Sequence, residues 1–285
     1  MSKLRLAVQK SGRLNEDSLK ILKAIGISID NGKDQLKASA RNFPLEVFFL
    51  RNGDIPQYLR DGVVDVAIIG ENILIEKGEE ISIVEKLGFS KCRVSIAVPK
   101  NSEAKSLQDL KGKRIATSYP NTVKKFLKEA NIDANLHIIN GSVEIAPNIG
   151  LADAVCDIVS SGSTLFKNNL KEIEVLLKSE AALVKSPKLS ADRQEILDKI
   201  QFRLQSVLAG RENKYVLLNA PNNKIDEIIN ILPGIKSPTI LPLAQEGWSS
   251  VHSVINKNDF WDVIDELKLA GAQGILVCPI ENMIQ

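Results

Sequence analysis

"VCDIVSSGSTL", residues 155–165, joins a short apolar run to a cluster of small hydroxylated residues around one glycine. Residues 154–159 have the make-up of a buried strand interrupted by a single acid, Asp157. The chain leaves this strand at Ser160 and enters the helical stretch "STLFKNNL" (163–170), with Ser163 or Thr164 near its N-cap. A helix start carries free N–H groups, and Gly162 lets the backbone approach a ligand closely, so the turn suits an anion. A capped helix after an ordinary turn has the same local pattern, and a motif this short does not separate the two readings.

An earlier segment shares the plan. "LRDGVVDVAIIGENIL" (59–74) and "NIGLADAVCDIVSSGSTL" (148–165) each pass through a Gly-containing corner, an Asp that opens a buried strand, and a Gly turn feeding a new helix. The similarity fits two related α/β lobes whose equivalent strand ends face one cleft, the place where open α/β sheets bind ligands.

Working outward, strand-like and helical runs alternate from the start of the chain. "LRLAVQ" (4–9) and "LEVFFL" (45–50) read as strands, and "NEDSLKILKAIG" (15–26) as a helix closed by Gly26. The pattern restarts after "CRVSIAVP" (92–99), and the helix over 191–210 predicts a return to the first lobe. The expected division is lobe I over 1–91 and 180–211, lobe II over 92–179, and a third domain over 212–285. That last segment runs β-α-β-β-α-β, the ferredoxin-like order.

Composition narrows the function. The 285 residues carry 37 basic and 35 acidic side chains, a net charge of +2 that makes no electrostatic case for nucleic acid. No run approaches the roughly 18 apolar residues of a membrane helix. "MSKLRLAVQKSGRL" lacks the apolar core of a signal peptide, so a cytoplasmic protein is expected. Cys92, Cys156 and Cys278 each lie in an apolar strand-like run, which predicts buried, reduced thiols rather than disulfides or a zinc site.

Three further loops sit at predicted strand ends. "QKSGRL" (9–14) offers Lys10 and Arg13 to phosphates, or is a solvated basic turn. "GEN" (70–72) places Glu71 and Asn72 to cap a helix or bind a ligand. "ATSYP" (116–120) puts hydroxyls before a helix, with Tyr119 able to stack on a base. Glu144, Asp153 and Asp157 lie near the phosphate turn; they would repel a bare phosphate but suit ribose hydroxyls or a magnesium-bound pyrophosphate. His137 reads as structural, and His252 lies in the third domain. There is no Ser-His-Asp pattern, metal-ligand cluster, GxGxxG or clear acid–base dyad, which counts against hydrolases and dehydrogenases.

Together, "QKSGRL", "DGVVDVAIIGEN", "GKRIATSYP", "NGSVEIAPNIGLADAVCDIVSSGSTL" and "PTILPLA" occur in the order and spacing of the ATP phosphoribosyltransferases, in their long, self-regulated form. The resemblance covers essentially the whole chain, and the 140–165 block resembles the family's signature for 5-phosphoribosyl 1-pyrophosphate (PRPP). It implies two periplasmic-binding-protein-like lobes around a cleft and a ferredoxin-like regulatory domain. The reaction it implies joins N1 of ATP to C1 of the PRPP ribose and releases pyrophosphate in the presence of Mg2+.

By the same resemblance, Glu144 and Asp157 would face the ribose with Asp153 in support, and Ser160, Ser161, Gly162, Ser163 and Thr164 would cradle the 5-phosphate. Arg13 would join the two acids in catalysis. The loops with Lys10, Gly12, Glu71, Ser118 and Tyr119 would hold ATP. Histidine would act as allosteric effector on Ser237, Thr239, Ser250 and Ser253, in a homo-oligomer ranging from dimer to hexamer. Where other members often have Thr before the loop glycine, Ser161 keeps the hydroxyl. The rival reading is a two-lobed solute- or effector-binding protein without catalysis. The missing signal peptide and the absence of a preceding helix-turn-helix argue against it.

Overall fold

Strand formation follows the apolar runs. β1 (Leu4–Gln9), β2 (Lys37–Ser39), β3 (Leu45–Leu50), β4 (Val66–Gly70) and β5 (Ser82–Lys86) alternate with helices α1 (Arg13–Ala24), α2 (Ile55–Asp61) and α3 (Glu71–Lys77). β6 (Cys92–Pro99), β7 (Arg114–Thr117), α4 (Pro120–Glu129), β8 (Asn135–Ile138), β9 (Ala154–Val159), α5 (Ser163–Lys167) and β10 (Leu170–Ser179) follow. Then come β11 (Ala181–Lys185), α6 (Ala191–Glu212), β12 (Asn213–Pro221), α7 (Ile225–Ile231), β13 (Thr239–Pro242), β14 (Trp248–Asn256), α8 (Phe260–Leu269) and β15 (Gln273–Pro279). This computed structural model describes residues 2–30, 35–78, 81–232, 234 and 237–284.

Two sheets make the two lobes. The first has the order β2-β3-β1-β4-β11-β5 and the second β10-β6-β9-β7-β8. β1 runs parallel to β3 and β4, while β11 enters antiparallel between β4 and β5. β4 reads "VAIIG" without polar alternation because both of its faces are covered: Val66 to Ile69 are all buried. β10 is irregular against β6, with register shifts between Glu172 and Glu174 and between Val175 and Leu177. Such bulges break the two-residue alternation, which is why 170–179 carries little strand signal in the sequence.

The chain forms two compact units, residues 1–198 and 199–285. The division between the units falls inside α6, after Asp198, whereas the third domain expected from the element order begins at residue 212. The second half of that helix lies against the end of its own unit. Met283 N–H donates to Ser206 O at 2.9 Å, and a Cβ on Gly210 would stand only 2.7 Å from the Ile280 carbonyl.

The second unit forms a four-stranded antiparallel sheet in the order β13-β14-β12-β15, with α7 and α8 in a βαββαβ chain. Val216, Leu218, Val251 and Ile255 on one face of this sheet share a buried core with Ile228 of α7 and Leu267 of α8. Cys156 is buried, as expected, and burial pushes its thiol pKa up; Cys92 is half-buried and Cys278 is exposed. Cys278 lies opposite Tyr215 on β15, an edge strand whose side chains are mostly exposed on either face. Among the described residues no helix is long and apolar enough to cross a membrane.

Candidate functional site

A cavity of about 710 Å3 lies between the two lobes of the first unit. Lobe I contributes Gln9, Arg13, Asn52, Gly70 and Asn72; lobe II contributes Tyr119, Glu144, Asp157 and the run Ser160–Leu165. Parallel strands deliver these residues because each ends at the cleft before its helix begins.

The phosphate turn is built by one backbone choice. Gly162 sits at φ 80°, ψ −1° and is the N-cap of α5, a role the sequence had given to Ser163 or Thr164. No heavy atom lies within 4 Å of where its Cβ would be, so the left-handed backbone, rather than crowding, demands glycine. Ser161 Oγ donates to Ser163 Oγ at 3.1 Å, which gathers two hydroxyls at the helix start. Opposite, Gly12 adopts φ 88°, ψ −177°, also a glycine conformation, and starts α1 at Arg13. The Arg13 guanidinium reaches across the cleft to Ser160 Oγ at 3.5 Å.

Asp157 leaves β9 two residues before that strand ends, and Glu144 faces the same cavity from a short 3-10 turn, Val143–Ile145. Burial holds the Asp157 carboxyl above the usual carboxylate range, with the neighbouring Glu144 charge adding to the effect. Asn52 Oδ1 and Ser90 Oγ line the cavity too, and both are buried atoms without a hydrogen-bond partner.

Several expected residues lie elsewhere. Asp153 stands at the opposite end of β9 from the cleft, where Arg114 grips it at 3.0 Å and holds its carboxyl below the usual range. Glu71 is ion-paired with Lys86 at 2.9 Å and accepts from Glu180 N–H, so it lines a neighbouring cleft of about 440 Å3 instead. Ser118 Oγ donates to the Ile139 carbonyl. The exposed Lys10 side chain and Gly12 do not line the main cavity. Tyr119 does line it, but its ring packs in the lobe II core at 7% exposure and has no free face for a base.

In the second unit, Ser250 and Ser253 of β14 are an odd number of residues apart and therefore face opposite sides of the sheet. Ser253 shares the helix-covered face with Val216 and has an unpartnered Oγ. Ser250 lies on the other face, within 3.0 Å of His252 Nε2, while Tyr215 Oη meets His252 Nδ1 at 2.6 Å. Thr239 pairs with His252 across β13–β14, and Ser237 Oγ donates to Pro238 O. The four hydroxyls therefore do not form one cluster.

Sequence reading left Asn72 undecided between cap and ligand contact, and passed over Glu76 and Ser179. All three are buried. Glu76 accepts from Asn121 N–H at 3.0 Å, Thr122 N–H at 2.9 Å and Thr122 Oγ1 at 2.8 Å, so a lobe I carboxylate caps α4 of lobe II. The available signal was the four-residue spacing of Asn72 and Glu76, which puts these two polar residues on one face of α3.

Comparisons with known proteins give the family of the chain. The family model for ATP phosphoribosyltransferase matches residues 51–206, and that for the HisG C-terminal domain matches 210–282. The chain belongs to the ATP phosphoribosyltransferase family. An ATP phosphoribosyltransferase from Cytophaga hutchinsonii is 55% identical over 282 residues, 99% of each chain, and one from Parabacteroides distasonis is 53% identical over 281 residues, again 99% of each. A solved chain described as the ATP phosphoribosyl transferase (HisG:HisZ) complex from Thermotoga maritima is 28% identical, with a TM-score of 0.61 over 71% of this chain and 98% of that one. Membership makes the chain an ATP phosphoribosyltransferase of histidine biosynthesis, a pentosyltransferase.

Proposed function

We propose that the inter-lobe cavity binds PRPP on lobe II and ATP against lobe I, and joins adenine N1 to ribose C1 with loss of pyrophosphate. The observation that carries this reading is the convergence, at one end of β9, of two carboxylates and a glycine turn rich in hydroxyls, facing an arginine from the other lobe. The Ser160–Thr164 turn takes the 5-phosphate, with backbone N–H groups and hydroxyls as donors. Asp157 and Glu144 accept from the ribose hydroxyls.

Adenine N1 is unprotonated at neutral pH, so no general base is required, which accounts for the absence of a dyad in the sequence. The departing pyrophosphate gains negative charge as positive charge builds on C1, and Arg13 is a lobe I cation that lines that space. Alignment of two bound substrates and electrostatic stabilisation of the leaving group supply the rate. Among the described residues no group of three or more His, Cys, Asp or Glu side chains is arranged to hold a metal ion. Two carboxylates beside a phosphate cradle do fit magnesium, which commonly binds through one or two carboxylates and substrate phosphates, with Glu144 and Asp157 in reach. When bound, Mg2+ neutralises pyrophosphate oxygens.

Residues 212–285 serve regulation in this reading, with histidine as effector and a homo-oligomer between dimer and hexamer as the responsive assembly. The open sheet face, where Leu241 and Leu276 are about half-exposed, supports association of that kind. Incubating the protein with ATP, PRPP and Mg2+ should release pyrophosphate in step with loss of both substrates. Absence of release under those conditions would overturn the assignment.

A further inference from the structure

Asn72 joins three parts of the chain through hydrogen bonds of fixed direction. Its backbone N–H donates to Ser179 Oγ at 3.0 Å, and Ser179 Oγ returns its single hydrogen to Asn72 Oδ1 at 2.9 Å. The amide oxygen is thereby engaged, and the amide nitrogen is turned towards lobe II. There Asn72 Nδ2 donates to the Tyr119 hydroxyl at 2.9 Å. Gly70 leaves room for this orientation, since a Cβ at that position would overlap Asn72 Oδ1.

A phenol has one hydrogen, and in this bond its oxygen is the acceptor. The hydrogen on Tyr119 is therefore directed elsewhere, and among the described residues no acceptor takes it. Tyr119 lines the inter-lobe cavity, on whose wall Asp157 also stands. Burial pushes the Tyr119 pKa well above that of an ordinary tyrosine, so the group keeps its hydrogen throughout the neutral range.

We infer that Asn72 and Ser179 are positioning residues which hold Tyr119 as a hydrogen-bond donor, its O–H aimed at a phosphate or ribose oxygen of the substrate in the cleft. No covalent step is involved. The gain is orientation: a donor already turned towards its acceptor costs no reorganisation when the substrate binds or reacts. The inference rests on the reading of this cavity as the PRPP and ATP site.

The test is a double-mutant cycle on pyrophosphate release, using the full chain with ATP, PRPP and Mg2+. Asn72→Asp replaces the donor facing Tyr119 with an acceptor, which draws the phenol hydrogen out of the cleft; Tyr119→Phe removes that hydrogen. Each should lower kcat/KM by about tenfold or more, the range for loss of one aligned donor. The double variant should be no worse than either single one, because both remove the same bond. Ser179→Ala frees the amide to turn and should give a smaller loss that also disappears when Tyr119 is Phe. It covers the case in which Asn72→Asp fails to fold. Additive losses in these cycles, or full activity in Asn72→Asp, would overturn the inference. Failure of the functional reading is a different result, since the unmodified protein would then release no pyrophosphate.

Discussion

Arg114 and Asp153 form a forked ion pair at the start of two neighbouring strands, with Nε donating to Oδ2 at 3.2 Å and Nη2 to Oδ1 at 3.0 Å. Arg5 and Asp65 repeat it in lobe I at 3.0 and 2.8 Å. In both lobes the arginine backbone N–H also donates to Oδ2, and its guanidinium reaches the carbonyl of a glycine in the left-handed conformation, Gly150 or Gly62. The weak sequence likeness of 59–74 and 148–165 is therefore a repeated device: it pins the far end of each central strand and leaves the other end free for the site.

Burial separates the two copies. The Asp65 side chain is 3% exposed and also receives Arg193 at 2.8 Å, whereas Asp153 is 39% exposed. Asp65→Asn should cost about 3 kcal/mol, because two guanidinium groups lose their charged partner in a buried setting. Asp153→Asn should lower Tm only slightly, as for an exposed pair, and leave turnover intact. Urea unfolding of both variants measures this, and equal losses would show that burial does not set the worth of the pair.

The phosphate turn is tested by Gly162→Ala. The new Cβ meets nothing, so the cost to the fold is confined to the left-handed backbone, about 1 kcal/mol. Any distortion of the turn should weaken PRPP binding by more than this cost implies. Gly78→Ala is the control, since Gly78 has φ 64° and open space but does not line the cavity. Calorimetry should record weakened PRPP binding at 162 alone, while both variants show similar small falls in Tm.

Asp157 carries a stability cost in the ligand-free enzyme. Its folded-state pKa is raised by burial and by Glu144, so the folded protein binds this proton more tightly than the unfolded chain does. The associated stability is full below the ordinary carboxylate range and is lost as the pH rises through the raised value. At neutral pH, Asp157→Asn should therefore raise Tm while lowering turnover, and the gain in Tm should shrink as the pH falls to about 4. Glu144→Gln should move the Asp157 titration, followed by carboxyl-carbon NMR, towards its ordinary value. A lower Tm for Asp157→Asn at every pH would contradict this account.

Histidine should lower turnover without competing with PRPP and should increase the sedimentation coefficient, because an effector must favour one assembly over another. Thr239 lies on the open face opposite His252, whereas Ser253 faces the helices. Thr239→Ala should weaken the response to histidine and Ser253→Ala should leave it unchanged. The reverse order would put the effector on the covered side of the sheet.

The sequence by itself determined the α/β alternation, the βαββαβ order of the last unit, and the glycine turns that begin α1 and α5. Each of these is a local matter: strand alternation, helix periodicity and left-handed glycine conformations depend on neighbours a few residues apart. It also located the Asp157–Thr164 run, because strand, acid and phosphate turn are contiguous in the chain. Tertiary structure alone decided which acids were available. Asp153, just before β9, and Asp157, within it, are four residues apart, yet one faces Arg114 and the other the cavity. Glu71 was withdrawn from the site by Lys86 and the backbone of Glu180. The Tyr119 ring was packed in the lobe II core, while the residue still lines the cavity and its hydroxyl accepts from Asn72. Those partners come from distant segments, brought together when β11 enters between β4 and β5 and α3 packs beside α4. Long-range pairing of this kind leaves no local pattern, so the chemical identity of each residue was visible in the chain and its free valence only in the fold.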